Sequence, residues 1–317
     1  MVRKIILDVD TGVDDAMAIM LACLSPELKV DLITTVSGNV HVDKTSVNSL
    51  KILEAIGVED VPVAKGLSKP LLRNLETAED FHGKDGLGDS NLPEPKLKLL
   101  EKHAVDLIIE KVINSKKGEF TIVTTGPLTN LGFALIKEPE IAKRVNEIVI
   151  MGGAFGISPY GYGNATPVSE FNMYVDPEAA KIVLGSGAKI TMVGLDVTTK
   201  PDTLITMEKY EEISSSKSKP AQIIAKITKK LIERYGAYAL HDPMAVAAAI
   251  DRSLFKVEKY HVEVLTSDGI TRGQTVADRR EWMKLLDENW EKRKNVHVCV
   301  DVNSEKFLTL FMKRLVY

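Results

Sequence analysis

Residues 5–15 read Ile5-Ile6-Leu7-Asp8-Val9-Asp10-Thr11-Gly12-Val13-Asp14-Asp15, and the apolar run Ala16-Met17-Ala18-Ile19-Met20-Leu21 follows. A buried strand, a turn at Gly12 and an apolar helix succeed one another. A strand that feeds straight into a helix opens a parallel α/β sheet. The same stretch gathers Asp8, Asp10, Asp14 and Asp15 at the carboxyl end of the strand, where open α/β sheets bind their ligands. Close carboxylates raise one another's pKa unless a cation or hydrogen-bond donors intervene. A hard divalent ion such as Ca²⁺ or Mg²⁺, which takes oxygen ligands, answers that need. The competing explanation is local: Asp10 or Thr11 caps the helix, and Asp14 and Asp15 favour its positive end.

Working outward, the pattern repeats. A β-branched strand over 30–36 ends in Ser37-Gly38-Asn39, and the apolar spacing over 42–56 predicts a helix closed by Gly57. Further strands are expected at 61–64, 120–124, 148–151, 190–195, 262–265 and 296–300. Helices are expected at 97–114, 176–184, 244–250 and from Ser304, with 200–235 mainly helical around a Ser-rich stretch at 214–218. Alternating strands and helices predict one α/β domain spanning 1–317, with a Rossmann-like, open, mostly parallel sheet and helices on both faces. No internal repeat or low-complexity segment interrupts it.

The 317 residues carry 41 basic and 44 acidic side chains, a formal net charge of −3, and 44% are hydrophobic. That is an ordinary globular balance with no global attraction to nucleic acid. No apolar run reaches membrane-spanning length, and no signal-peptide pattern precedes the first strand. Cys23 and Cys299, the only cysteines, sit in apolar elements and read as small buried hydrophobes, which suits a reducing, cytoplasmic setting.

Several loops carry candidate ligand contacts. Residues 65–96 are polar and rich in Gly and Pro, and contain Phe81-His82-Gly83-Lys84-Asp85-Gly86-Leu87-Gly88. Such a loop is expected to be a mobile lid, and His82, taken alone, reads as a solvated loop histidine. Thr125-Gly126-Pro127-Leu128-Thr129-Asn130 follows a strand, so the Thr125 carbonyl is either an ion ligand or part of a simple helix start. Met151-Gly152-Gly153 leads through a Gly/Tyr/Pro loop to Gly163-Asn164-Ala165-Thr166 and Glu170-Phe171-Asn172. Asn and Glu can clamp ligand hydroxyls, but they also form turns and caps. His241-Asp242-Pro243 stands at a helix entry, where a core-edge histidine and an N-cap aspartate are the plain alternatives.

Together these six motifs resemble the inosine–uridine-preferring nucleoside hydrolases, in that family's order and along nearly the whole chain. The resemblance implies a ribonucleoside N-ribohydrolase with a tightly held Ca²⁺. By matching position, the ion would be held by the side chains of Asp10, Asp15 and Asp242 and by the carbonyl oxygen of Thr125. Asp14, Asn39, Met151, Asn164, Glu170 and Asn172 would line a ribose pocket. The family implies a homo-oligomer, dimer or tetramer, serving nucleoside catabolism and the salvage of purines and pyrimidines. Two stretches depart from the pattern. The loop 154–162 is longer than in many relatives, and the base-contacting region falls in 228–240, where Tyr235 and Tyr238 either stack on a base or pack beneath the loop.

Hydrolysis of an N-glycosidic bond builds positive charge on the ribose, as in other glycoside cleavages. It needs an activated water at C1′ and a proton for the departing base. Asp10 is the candidate general base, His241 the candidate general acid, and His82 a second contact to the base. Two rivals use the same residues. A haloacid dehalogenase-type phosphatase would take Asp8 as a covalent nucleophile beside Mg²⁺, and a non-catalytic nucleoside-binding protein would keep the pocket without turnover.

Overall fold

The computed structural model describes residues 2–317. Nine strands form one sheet in the order β3-β2-β1-β4-β5-β6-β11-β9-β10. Its first six are β1 (Arg3–Val9), β2 (Leu28–Thr35), β3 (Val63–Lys65), β4 (Phe120–Thr124), β5 (Glu147–Met151) and β6 (Ile190–Val193). A two-stranded ribbon, β7 (Ile205–Thr206) and β8 (Ala237–Tyr238), stands apart from it. The far edge is made by β9 (Phe255–Val264), β10 (Thr275–Asp278) and β11 (Val296–Val302). All neighbours from β3 to β11 run parallel, while β9 is antiparallel to both β11 and β10. The expected open, mostly parallel sheet is therefore present, with an antiparallel edge.

Side-chain alternation along β1 sorts the core into two layers. Ile5, Leu7 and Val9 pack with Met17, Met20 and Met244 on one face. Ile6 packs with Leu32, Ile122 and Leu131 on the other. Helices cover both faces, as both layers require. The helix His241–Ile250 lies against the first helix, Val13–Cys23, and so brings the late part of the chain to its beginning.

The strand order reverses direction between β1 and β4, since the chain moves outward through β2 and β3 and then returns. A crevice opens at such a switch point beyond the carboxyl ends of the strands. Asp8 pairs in register with Thr124, so Asp10 emerges beside Gly126, next to Thr125, at the mouth of that crevice.

Several boundaries differ from expectation. Only Ala104–Ile113 of the segment 97–114 is helical, because His103 caps it by accepting from the Val105 amide while Leu100 forms a bridge to Ala64. The sixth strand stops at Val193, and Leu195–Thr198 form a helical turn behind Gly194. The first helix starts at Val13 with Gly12 at its N-cap, so neither Asp10 nor Thr11 caps it. Asp242 is likewise inside its helix, with Leu240 at the cap position. Strand β10 lies in a stretch with no clear apolar alternation and was not anticipated.

Candidate active site

The crevice holds a cavity of about 350 Å³, the size of a small-molecule site. Asp14, Asn39, His82, Thr125, Met151, Asn164, Glu170, Asn172, His241 and Asp242 all line it, together with Phe81. Asp10 and Asp15 are wholly buried behind that lining. The structure thus brings the sequence candidates into one place, from elements spread over most of the chain.

Asp15 is the best-supplied carboxylate. It accepts from the Gly12 amide at 2.9 Å, from Asn39 Nδ2 at 3.0 Å and from Thr125 Oγ1 at 2.6 Å. Asp10 accepts from the Asn39 amide at 2.7 Å through Oδ2. Glycines flank it closely: a Cβ on Gly38 would lie 2.1 Å from Asp10 Oδ2, and one on Gly126 would lie 2.8 Å from Oδ1. Those two positions need glycine for space, and Asp10 is clasped between them.

The acids are charged at a cost. Burial, then the charge of Asp15, pushes Asp14 up to about 7 and holds Asp10 well above the carboxylate range. Burial, then Asp14 and Asp15, raises Asp242 as well. Oδ1 of Asp10 and Oδ1 of Asp14 are buried and have no hydrogen-bond partner among the described residues. Oxygen atoms of Asp14, Asp15 and Asp242 fall within 4.8 Å of one another, and Asp10 stands outside that triangle. An all-oxygen donor set with unpartnered carboxylate oxygens fits a hard divalent cation rather than zinc or copper. The carbonyl of Thr125 accepts from Asn172 Nδ2 at 2.6 Å and has a second lone pair free for a ligand.

Polar groups form the opposite wall. Glu170 caps the short helix Phe171–Val175, accepting from the amides of Asn172 and Met173, and reaches the Gly153 amide at 3.2 Å. Burial lifts its carboxyl to about 6 against those amides. Asn164 accepts from the Phe171 amide at 2.8 Å, so it braces the loop as well as lining the cavity.

His82 is not solvated. It ends a helical turn, Glu79–His82, is 6% exposed, and accepts at Nδ1 from the Val13 amide at 3.2 Å. The Gly-rich loop is tied down from a distant part of the chain, where Asn48 donates to the Asp85 carbonyl, and is braced from within by Asp85, which accepts from the Leu87 and Asp89 amides. With Nδ1 accepting, the ring proton sits on Nε2. Burial, and then nearby His241, lowers the His82 pKa to about 3. His241 is itself lowered to about 4 by burial, and its Nδ1 meets Thr198 Oγ1 at 2.8 Å.

The aromatics divide. Tyr238 is buried and stacks on Phe81 with centroids 6.1 Å apart, so it packs beneath the loop. Tyr235 is half exposed and stacks on the same Phe81 ring at 5.8 Å. Phe81 is the aromatic side chain of this stack that reaches the cavity. Asp8 is turned toward Thr34 Oγ1 (2.5 Å) and Asn130 Nδ2 (2.9 Å), an arrangement unsuited to a covalent nucleophile facing the crevice.

Sequence reasoning missed Asp196. This buried acid accepts from the amides of Phe155, Ile157 and Ser158 at 2.8, 2.6 and 3.0 Å and so holds the start of the loop 154–162. Its signal was available, since Asp196 follows an apolar strand and a glycine as Asp10 follows β1.

An α/β crevice of this order, floored by buried acids and walled by Asn and Glu side chains, is the frame of an enzyme that acts on a small polar molecule. Residues 5–309 match the model of the family described as inosine-uridine preferring nucleoside hydrolase, and the chain belongs to that family. It is a hydrolase that acts on ribonucleosides. An inosine-uridine preferring nucleoside hydrolase of Leishmania major is 40% identical over 99% of this chain and 98% of its own length. A probable uridine nucleosidase 2 of Arabidopsis thaliana is 41% identical over 99% and 97%. Among solved structures, a plant nucleoside hydrolase superposes with a TM-score of 0.90 at 38% identity, covering 99% of both chains. A purine-preferring ribonucleoside hydrolase from Gardnerella vaginalis gives 0.87 at 36%, covering 99% of this chain and 98% of its own. No helix among the described residues is long and apolar enough to cross a membrane.

Proposed function

We propose that the chain hydrolyses the N-glycosidic bond of ribonucleosides in a calcium-dependent, direct displacement by water, with Asp10 as general base and His241 as general acid. The observation that carries this reading is the buried acid cluster with its unpartnered Asp10 and Asp14 oxygens, facing a wall of Asn and Glu side chains across one cavity.

Asp10, Asp15 and Asp242 side chains and the Thr125 carbonyl would hold the ion. When bound, Ca²⁺ would lower the pKa of water and draw the ribose 2′ and 3′ oxygens toward the acids. Asp14, Asn39, Asn164, Glu170 and Asn172 grip the sugar hydroxyls, and Met151 packs against the ring. Gripping fixes C1′ relative to Asp10 and so removes rotational freedom from the reacting pair. Asp10 takes the proton of the attacking water as its oxygen bonds to C1′. The C1′–N bond breaks, its electron pair passes to the base, and His241 delivers a proton to the departing nitrogen. Negative charge gathering on the base favours the protonated imidazole that burial alone disfavours. His82, with its proton on Nε2, donates a hydrogen bond to the same base.

The supporting experiment is ribose release from inosine, adenosine, guanosine, uridine and cytidine before and after calcium removal. Calcium-dependent free ribose without phosphate is the expected result. Intact nucleoside recovered from calcium-replete protein would favour a binding protein, and phosphate released from a phosphomonoester would favour the phosphatase.

A homo-oligomer and a reducing compartment belong to the same proposal. Cys23 and Cys299 are both free thiols, as a reducing setting allows. A monomer by light scattering would contradict the first of these.

A further inference from the structure

The turn Leu195–Thr198, directly after β6, is tied to both ends of the site. Leu195 donates to the Gly153 carbonyl at 2.8 Å, and Asp196 gathers the amides of the loop that follows Gly153. Two residues on, Thr198 is fully buried, and its hydroxyl meets Nδ1 of His241 at 2.8 Å. That hydroxyl makes no other hydrogen bond among the described residues. The buried O–H therefore has one place to put its hydrogen, and an imidazole bonded through Nδ1 presents Nε2 to the cavity that it lines.

We propose that Thr198 is the positioning residue of the leaving-group acid, fixing the His241 ring through Nδ1 so that Nε2 is the nitrogen offered to the departing base. This rests on the reading of His241 as general acid. A hydroxyl suits the task because it donates to a bare ring nitrogen and accepts from an N–H. The contact thus survives both states of the ring, where a carboxylate would favour only the charged one. The rigid mounting matters too. Thr198 sits on a turn whose own amide bonds back to Gly194 at 3.2 Å, and β6 is paired on both sides. The ring is held by the sheet itself rather than by the loops above the cavity.

The test compares Thr198→Val, which keeps the shape and loses the hydroxyl, with Thr198→Ser, which keeps the hydroxyl, on uridine or inosine and on p-nitrophenyl riboside. The nitrophenolate leaves without a proton. General acid catalysis contributes roughly 10²–10⁴-fold, so a misaimed acid should cost Thr198→Val about 10–100-fold in kcat on the natural nucleoside. The loss on p-nitrophenyl riboside should stay within about threefold, since protonation is not part of that reaction. Thr198→Ser should recover most of the natural turnover. His241→Ala runs alongside and should show the same selectivity more strongly. Wild-type turnover of the nucleoside by Thr198→Val, or equal losses on both substrates, would overturn the positioning role while a selective His241→Ala left the general acid standing. Equal losses for His241→Ala would overturn the general acid and the positioning role together. Should the valine variant not fold, Thr198→Ala read against Thr198→Ser on the same two substrates decides between the same outcomes.

Discussion

Gly12 has no side chain in the place that His82 occupies: a Cβ there would lie 2.6 Å from His82 Nδ1 and 2.6 Å from Asn39 Nδ2. The backbone at Gly12 has φ of −97°, which any residue can adopt, so the requirement is one of space. Gly12→Ala should leave the fold intact and displace two site residues at once. A misplacement near 1 Å can cost about 100-fold, so kcat/KM for uridine or inosine should fall by about that factor. Wild-type kinetics would show that neither side chain needs its present position.

Asp10→Ala should abolish turnover while nucleoside binding persists. Equilibrium dialysis with a labelled nucleoside, beside a ribose assay, separates the two. Normal kcat would remove Asp10 from the role of base.

Asp242→Asn should change stability in opposite directions with and without calcium. Burial and the neighbouring acids oppose the charge on Asp242, so its removal should raise Tm of the calcium-stripped protein. The loaded protein should lose affinity for the ion and with it the added stability of a bound ligand. Thermal scans at matched ionic strength show the crossing, and a variant with unchanged calcium affinity would refute the ligand assignment.

Glu170 should make ligand-free stability depend on pH. Burial lifts its carboxyl to about 6 from the ordinary value of 4.5, so the folded protein holds this proton more tightly than the unfolded chain. The contribution is complete below the unfolded value and is lost as pH rises through the folded one. It amounts to about 2 kcal/mol across that interval. Glu170→Gln should flatten the dependence of unfolding free energy on pH between the two values. An unaltered slope would mean that the carboxyl titrates normally.

Asp196→Ala removes one acceptor from three backbone amides and should loosen the loop that leads to Asn164. The expected kinetic mark is KM raised more than kcat is lowered, with proteolysis appearing first within 154–162. An effect confined to kcat would place the influence of Asp196 elsewhere.

The opening strand, the acid-rich turn and the helix behind it were legible because each is local: apolar run, glycine and helix follow in sequence. His241-Asp242-Pro243 was legible for the same reason, as proline marks a helix entry. The resemblance of motifs then joined pieces that periodicity could not. What stayed hidden depends on distant partners. His82 is buried only because the Val13 amide and the space at Gly12 receive it. Residues 97–103 have apolar spacing, yet Leu100 bridges to Ala64 rather than turning helical. Thr198 carries no signal until the fold sets His241 beside it.

The helix that begins at His241 docks on the helix that begins at Val13, so the acid cluster joins residues that lie far apart in the sequence. Asp10, Asp14 and Asp15 directly follow the first strand of the nine-stranded sheet, whereas Asp242 comes only after its sixth. Without Asp242 the early acids lack their fourth member, and under the proposed mechanism a shorter chain has neither the whole ion site nor the leaving-group acid. On that reading, a chain cut before His241 should release no ribose from nucleosides, however well its early strands fold.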